Sequence, residues 1–181
     1  IDGCWYMVHT LEVATLAGGC FWCLEAVFEN VQGVSRIESG YCGGHVHQPS
    51  YEEVCSETTG HAESVQITFD KQVVQYEDIL AIFFTIHDPT TLNYQGYDVG
   101  SRYRSAIFFG TPEQEAIAKS TITKLEEDMV WSSAIVTEVE PLTEFYPAED
   151  YHQDYYEKNF IRYLMYKKAC KREETLETIW N

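Results

Sequence analysis

The chain has 181 residues, of which 45% are hydrophobic and 23% charged, which predicts one compact globular domain. The formal net charge of −17 argues against a nucleic-acid partner, because such binding depends on Lys and Arg neutralising phosphates. No stretch reaches the roughly 20 apolar residues that a membrane span requires, and the N-terminal residues lack the pattern of a secretory signal. We therefore expect a cytoplasmic monomer without a membrane partner.

The first half of the chain is predicted to alternate strands and helices, with apolar residues at period 2 in the strands and at helical spacing in the helices. The predicted elements are strand 9–16, helix 21–30, strand 34–39, strand 62–69 and helix 76–87. Two long loops are predicted at 40–60 and 88–103, and loops of this length in a compact domain are more often functional than idle.

The second half continues the same alternation. Thr111 and Pro112 are typical of a helix start, as the cap and the first helical residue. The predicted elements are strand 105–109, helix 112–128, strand 134–139, an irregular stretch 141–149 and helical structure in two pieces from 150 onward. Interspersed strands and helices predict helices packed on a sheet, and the periodicity leaves open whether that sheet is parallel or mixed.

Basic residues gather near the C-terminus in this otherwise acidic chain. Such a group on a helix is usually a solvated face, so we expect these side chains to face water, with a docking patch as the alternative. The group consists of Lys158, Arg162, Lys167, Lys168, Lys171 and Arg172.

Six cysteines occur in the sequence. A chain of this length and apolar content does not need disulfides to fold, so we expect a reducing compartment with one or two functional thiols. The cysteines are Cys4, Cys20, Cys23, Cys42, Cys55 and Cys170.

The segment 18–23 (GGCFWC) carries the strongest chemical signal. Cys20 falls between a strand end and a helix start, where exposed backbone N–H groups favour a negative charge and should lower the thiol pKa. Gly18 and Gly19 allow a sharp turn that leaves the sulfur open to solvent. Phe21 and Trp22 then provide an apolar wall beside a reactive sulfur.

Other interpretations of this segment remain open from the residues alone. Free cysteines are often inert and buried. Cys20 and Cys23 also form a Cys-x-x-Cys pair, which is either a redox couple or half of a metal site. The sequence offers no second pair and no histidines at the usual ligand spacing, so we expect no metal.

Several distinctive motifs follow one another along the chain. They are GCFWC at 19–23, SYEEVCS at 50–56, TGHAE at 59–63, HDPTTLN at 87–93, DVGSRYRS at 98–105 and YPAEDYHQ at 146–153. Their combination is far more specific than any one of them, and over about 17–156 it resembles the A-type methionine sulfoxide reductases.

This resemblance implies an α+β fold with a mixed β-sheet, flanking helices, a ferredoxin-like core, long irregular loops and a C-terminal tail. It implies a single catalytic domain over 1–181, with a helical or mobile extension from about 157. The implied enzyme reduces the S epimer of methionine sulfoxide, free or in proteins. It needs no cofactor beyond an external thiol reductant of the thioredoxin type.

The resemblance also implies roles for individual residues. Cys20 matches the nucleophile, and Glu63 matches the acid that protonates the sulfoxide oxygen. The other matches are Tyr51 and Tyr103 as hydroxyls that hold that oxygen, Asp98 as a supporting carboxylate, Phe21 and Trp22 as the methyl pocket, and His152 in the site wall. A carboxyl among aromatic residues can have a raised pKa and stay protonated, which agrees with the role of Glu63.

The reaction leaves Cys20 as a sulfenic acid, which a second thiol converts to a disulfide. Cys170 lies close to where many family members keep a recycling cysteine on a mobile tail, and Cys23 is the rival one helical turn from Cys20. We favour Cys170, because a tail can move and a helix cannot easily bend. Cys42 and Cys55 are third choices, and we expect Cys4 to be incidental.

Two positions depart from the family's pattern. Cys42 takes a place where the family often has a small residue. Glu57 stands where we expect Gly, and a loop position with positive φ would be strained by a side chain.

Three other functions compete with this hypothesis. A thioredoxin-like disulfide oxidoreductase would use Cys20 and Cys23 and would not need Glu63. A thiol redox sensor would accumulate an oxidised form without turning over. A cysteine protease built on Cys20 lacks the surroundings that are typical of such a nucleophile.

Overall fold

The structure is a computed structural model that describes residues 10–174 and residue 177. Cys4 and the first residue of the predicted strand 9–16 lie outside the described residues. No helix in the described part of the chain is long and apolar enough to cross a membrane.

A six-stranded mixed sheet forms the centre of the described region, in the order β7-β6-β1-β3-β2-β8. Its neighbours pair antiparallel except β6 and β7, which are parallel, and β4 and β5 form a separate small hairpin. The strands are β1 Leu11–Gly18, β2 Val34–Cys42, β3 Ala62–Asp70, β4 Tyr94–Gln95, β5 Asp98–Val99, β6 Ser105–Phe109, β7 Glu138–Pro141 and β8 Phe145–Pro147.

The helices flank this sheet. They are α1 Phe21–Phe28, α2 Tyr51–Cys55, α3 Tyr76–Thr85, α4 Pro112–Glu127, α5 Tyr155–Lys158 and α6 Phe160–Cys170, with short 3₁₀ segments at Ser101–Tyr103 and Asp150–His152. The sequence β1-α1-β2-β3-α3-β6 with the spatial order β6-β1-β3-β2 is a ferredoxin-like core. The predicted α+β class, with a mixed sheet and flanking helices, is confirmed.

The hydrophobic core lies between the sheet and the helices α1 and α3. Ile67 and Phe69 of β3 are fully buried, as their alternation predicts, and Leu24 of α1 and Phe83 of α3 are fully buried too. Each such side chain contributes roughly 1.5–3 kcal/mol through removal from water. This packing fixes α1, and therefore the Cys20 turn at its start.

Both predicted long loops contain regular structure, which corrects the sequence analysis. In the loop predicted at 40–60, β2 continues to Cys42 because it pairs with β8, and α2 starts at a capping box formed by Ser50 and Glu53. The loop predicted at 88–103 contains the β4–β5 hairpin and a 3₁₀ turn. These elements are too short to show a period.

The strand predicted at 134–139 is displaced to Glu138–Pro141. Its β-branched residues Ile135 and Val136 suggested an earlier start, but the ladder to β6 begins only at Glu138. Val136 donates its N–H to the carbonyl of Pro89 instead. The stretch predicted as irregular contains β8, which pairs with the end of β2.

Candidate active site

Cys20 is the N-cap residue of α1 and lies two residues after the end of β1 at Gly18. Gly19 makes the connecting turn with a φ of 90°, a conformation that favours glycine. The predicted strand–turn–helix setting is confirmed, but the sulfur is not open to solvent. Cys20 is only 4% exposed, because α6 brings Tyr166 within hydrogen-bonding distance of its thiol.

Cys20 and Cys23 form a hydrogen-bonded thiol pair. Burial, followed by the hydrogen bond to Cys23 and the charge of Glu63, raises the pKa of Cys20 well above its usual value. The expected low pKa of Cys20 is therefore wrong for this closed arrangement, since desolvation outweighs the helix N-terminus. The hydrogen bond from Cys20 and the charge of Arg172 outweigh burial at Cys23 and lower its pKa to about 6.

Glu63 lies on β3 and is 2% exposed, so it is not a solvated surface residue. Its Oε2 accepts a hydrogen bond of 3.3 Å from the backbone N–H of Phe21, which connects it to the start of α1. Burial raises the pKa of Glu63 to about 8. The carboxyl is therefore mostly protonated at neutral pH, which a general acid requires.

Tyr51 begins α2, and Tyr103 ends the 3₁₀ turn after the β4–β5 hairpin. Burial is the main cause that raises the pKa of both phenols, and the charge of Glu63 contributes at each. Cys20 also contributes at Tyr103. Both hydroxyls thus lie within electrostatic range of Glu63, and that of Tyr103 also lies within range of Cys20. Both stay protonated as hydrogen-bond donors.

An aromatic wall lies beside the thiol. The ring of Phe21 is 5.1 Å from that of His152, and Trp22 Nε1 donates to His152 Nδ1 at 3.2 Å. Burial lowers the pKa of His152. Tyr155 stacks on Trp22 with the ring centroids 3.8 Å apart. This wall suits a small apolar group on sulfur.

Asp98 lies on β5, and its carboxylate accepts a hydrogen bond from the hydroxyl of Tyr166. Burial raises the pKa of Asp98, against the opposing effects of Tyr166, Arg172 and Arg102. Asp98 therefore supports the tyrosine that covers Cys20.

The five cysteines in the described part of the chain are free thiols. Cys170 is buried, donates to the carbonyl of Lys167 at 3.3 Å and lies within electrostatic range of Cys23. Cys55 is hydrogen-bonded to the hydroxyl of Tyr51. Cys42 is buried on β2, in a register that pairs it with Ala62.

Glu57 adopts a φ of 63°, as expected for a position that suits glycine. Its carboxylate accepts hydrogen bonds of 2.6 Å from both Ser101 Oγ and Arg102 Nη1. The guanidinium of Arg102 lies 4.5 Å from the ring centroid of Tyr103. The strained residue thus holds the turn that carries Tyr103.

A cavity of about 610 Å³ lies away from this chemistry and is lined by Gly43, Arg104, Phe108 and Glu138 among others. Within residues 10–174 and residue 177, no three His, Cys, Asp or Glu side chains are arranged to hold a metal ion. The cluster around Cys20 is therefore the candidate site.

Comparison with known proteins identifies the family. The family model described as peptide methionine sulfoxide reductase matches residues 12–181. The chain belongs to the peptide methionine sulfoxide reductase family. A member from Leptospira borgpetersenii is 57% identical over 91% of this chain and 95% of its own length. One from Saccharolobus solfataricus is 56% identical over 82% of this chain and 83% of its own.

Solved structures of peptide methionine sulfoxide reductases share the fold. Reduced Mxr1 from Saccharomyces cerevisiae superimposes with a TM-score of 0.76 at 34% identity, covering 82% of this chain and 86% of its own. Methionine sulfoxide reductase A of Corynebacterium diphtheriae superimposes with a TM-score of 0.75 at 34% identity, covering 82% of this chain and 75% of its own. Mxr1 in complex with Trx2 superimposes with a TM-score of 0.57 at 26% identity, covering 80% of this chain and 84% of its own.

Two residues of this reductase site were missed by sequence reasoning. Tyr166 is one of two tyrosines on α6, and nothing in the local sequence marks it as a site residue. Arg172 was assigned to a solvated basic face, and that assignment is wrong, because Arg172 is 5% exposed. Lys171 ends α6 with a φ of 54°, which turns the following residue inward.

Proposed function

We propose that this chain reduces the S epimer of methionine sulfoxide, free or in proteins, with Cys20 as the nucleophile. Its family and its relatives are described as peptide methionine sulfoxide reductases. The observation that carries the assignment is the grouping of the Cys20 thiol with the protonated carboxyl of Glu63 and the hydroxyls of Tyr51 and Tyr103.

In the first step, the sulfur of Cys20 attacks the sulfoxide sulfur while the oxygen takes a proton from Glu63. Tyr51 and Tyr103 donate hydrogen bonds to that oxygen as its charge develops. The S–O bond breaks, the sulfide leaves as methionine, and Cys20 becomes a sulfenic acid. A protonated acid beside a thiol is what this step needs at neutral pH.

Phe21 and Trp22 form the pocket for the methyl group, and His152 fixes the position of Trp22 through its hydrogen bond. Asp98 acts through Tyr166, whose hydroxyl it holds beside the thiol. Because Cys20 is covered by Tyr166, we infer that substrate entry displaces the side chain of Tyr166 from the thiol.

In the second step, a thiol condenses with the sulfenic acid, forming a disulfide and water. We propose Cys23 as the first partner, which reverses the order expected from the sequence. The existing Cys20–Cys23 contact supports this choice, since no helix bending is required. Cys170 lies within electrostatic range of Cys23, so it would act by exchange with a Cys20–Cys23 disulfide.

An external dithiol protein then reduces the disulfide. The complex of Mxr1 with the thioredoxin Trx2 supports a reductant of this class. We further propose that residues 1–181 act as a single catalytic domain without a prosthetic group, as a cytoplasmic monomer. Analytical ultracentrifugation tests the monomer, and elemental and spectral analysis of the purified protein tests for a bound group.

The decisive assay follows both epimers of a methionine sulfoxide peptide with dithiothreitol as reductant. We expect the wild type to consume the S epimer alone and Cys20→Ser to consume neither. Cys42→Ser is the matched control, since Cys42 is buried on the sheet, and it should keep the wild-type rate. No turnover by the wild type would contradict the proposal and favour a redox sensor.

A further inference from the structure

Arg172 is a buried cation in the segment that follows α6. Its Nε donates to the carbonyl of Ile86 at 3.0 Å, and its Nη2 donates to the carbonyl of Gly18 at 2.7 Å. These bonds attach the segment to the end of β1 and to the residue after α3. Burying a charge is costly unless an opposite charge compensates it, and two carbonyls do so only in part.

The third guanidinium nitrogen, Nη1, remains available to a compensating negative charge. Nη1 of Arg172 is buried without a hydrogen-bond partner. A Cβ atom at Gly19 would lie 2.9 Å from it. The missing side chain at Gly19 thus lets the guanidinium approach the backbone immediately before Cys20.

Cys23 and Arg172 line the same cavity, which makes the sulfur of Cys23 the candidate partner for the guanidinium. The charge of Arg172 favours the Cys23 thiolate, and the thiol of Cys20 donates a hydrogen bond to it. The titratable and charged groups that face Cys23 are Cys20 on its own helix, Glu63 of β3, Asp98 of β5, Tyr163, Tyr166, Lys167 and Cys170 of α6, and Arg172 and Glu173 beyond it.

We propose that Arg172 is a positioning residue that keeps Cys23 as a thiolate, so that Cys23 accepts the proton of Cys20 when Cys20 attacks the sulfoxide. This inference rests on the proposed function. It explains how a Cys20 thiol whose own burial disfavours ionisation becomes a nucleophile: its proton moves along an existing hydrogen bond to the neighbouring sulfur.

The protons and electrons balance over both steps. In the first, Glu63 gives a proton to the sulfoxide oxygen, Cys20 loses its proton to Cys23, and the sulfoxide is reduced while Cys20 is oxidised to sulfenic acid. In the second, the sulfur of Cys23 displaces the hydroxyl from Cys20. The proton held by Cys23 leaves with that hydroxyl as water, and the disulfide remains.

The first test uses the unmodified, reduced protein. A cavity of about 160 Å³ lined by Cys23, Tyr163 and Arg172 gives a small reagent a route to the thiol. Iodoacetamide alkylation between pH 5 and 10, mapped by mass spectrometry, should label Cys23 with a midpoint below that of an ordinary thiol. If Cys23 is alkylated with a half-maximal rate only near pH 8.5, the value of an ordinary thiol, the proposal is overturned.

The second test compares Arg172→Met, Arg172→Lys and the control Arg162→Met in single turnover, following methionine formation. Arg162 is exposed on α6, so its replacement makes the same change in net charge away from the site. At pH 7 we expect Arg172→Met to slow the first step about tenfold or more, because an ordinary thiol is only a few per cent ionised.

The rate of Arg172→Met relative to wild type should recover toward pH 9 with little change in KM, because loss of the Glu63 proton slows both proteins alike. At pH 7, Arg172→Lys should keep most of the rate and Arg162→Met all of it. A wild-type pH profile in Arg172→Met, or an equal loss at every pH, would contradict the proposal. Absence of methionine from the wild type would instead refute the proposed function. If Arg172→Met does not fold, Arg172→Lys and the alkylation midpoint decide.

Discussion

Replacing Glu63 with Gln should make the protein inactive and more stable at the same time. Burial raises the folded-state pKa of Glu63 to about 8, against about 4.3 in the unfolded chain. The folded protein therefore favours the protonated acid. The contribution of Glu63 to stability is fully present below about pH 4 and is lost as the pH rises to about 8.

The size of this effect follows from linkage. At pH 7 the shift in pKa costs the folded state about 3.6 kcal/mol, and at pH 5 about 1 kcal/mol. Gln does not ionise and can still accept from the N–H of Phe21. Glu63→Gln should therefore raise the free energy of unfolding at pH 7 by most of that amount, which corresponds to roughly 7–14 °C in the melting temperature. The gain should level off above about pH 8.

Urea unfolding of Glu63→Gln and wild type at pH 5, 7 and 8.5 measures this gain. The exposed Glu127 provides the control, because Glu127→Gln should stay within about 0.5 kcal/mol of wild type at each pH. Single-turnover methionine formation by Glu63→Gln should fall by about 10²–10⁴, the usual contribution of a general acid. A variant that is less stable than wild type, or a gain independent of pH, would refute the reasoning.

Two further predictions concern the oxygen-binding tyrosines and the strained turn. Tyr51→Phe and Tyr103→Phe should each lower kcat about tenfold. The double variant should lose more than the product of the two single losses, because either hydroxyl partly replaces the other. Steady-state assays with the S epimer measure these losses, and an unchanged kcat in the double variant would exclude the role of the two hydroxyls. Glu57→Gly should destabilise the protein by about 1 kcal/mol in urea, since the lost bonds to Ser101 and Arg102 outweigh the relieved strain. Glu57→Ala should be about 1 kcal/mol less stable to urea than Glu57→Gly, because it keeps the strained backbone conformation. Equal losses of stability in the two variants would contradict this account.

The motifs predicted the position of the site because each depends on neighbouring residues. Gly19 and Cys20 mark a strand–turn–helix junction in a few letters, and the alternation from Val65 to Phe69 shows a buried strand. The family resemblance then named Glu63 and the two tyrosines, which the fold brings near the thiol. Their catalytic roles stay predictions.

What the sequence could not show depends on contacts between distant segments. Tyr166 and Arg172 reach the site only because α6 returns over α1, and nothing local distinguishes Arg172 from its solvated basic neighbours. The same covering helix reverses the expected acidity of Cys20, because a helix N-terminus lowers a thiol pKa only where burial does not dominate. Short elements such as α2 are likewise fixed by their capping and pairing partners.

The order of the six-stranded sheet has a consequence for folding and solubility. Its two outermost strands, β7 and β8, are consecutive in the chain and are separated only by residues 142–144. Four Cα steps span at most about 14 Å, so the end of β7 and the start of β8 lie within that distance. Because β7 pairs with β6 and β8 pairs with β2, the sheet must curl until its two edges almost meet. Pro141 and Pro147, which lack an N–H, end these strands. The segment 138–147 thereby covers the open edges of β6 and β2 and protects them against pairing with another chain. This protection forms only when that segment is in place.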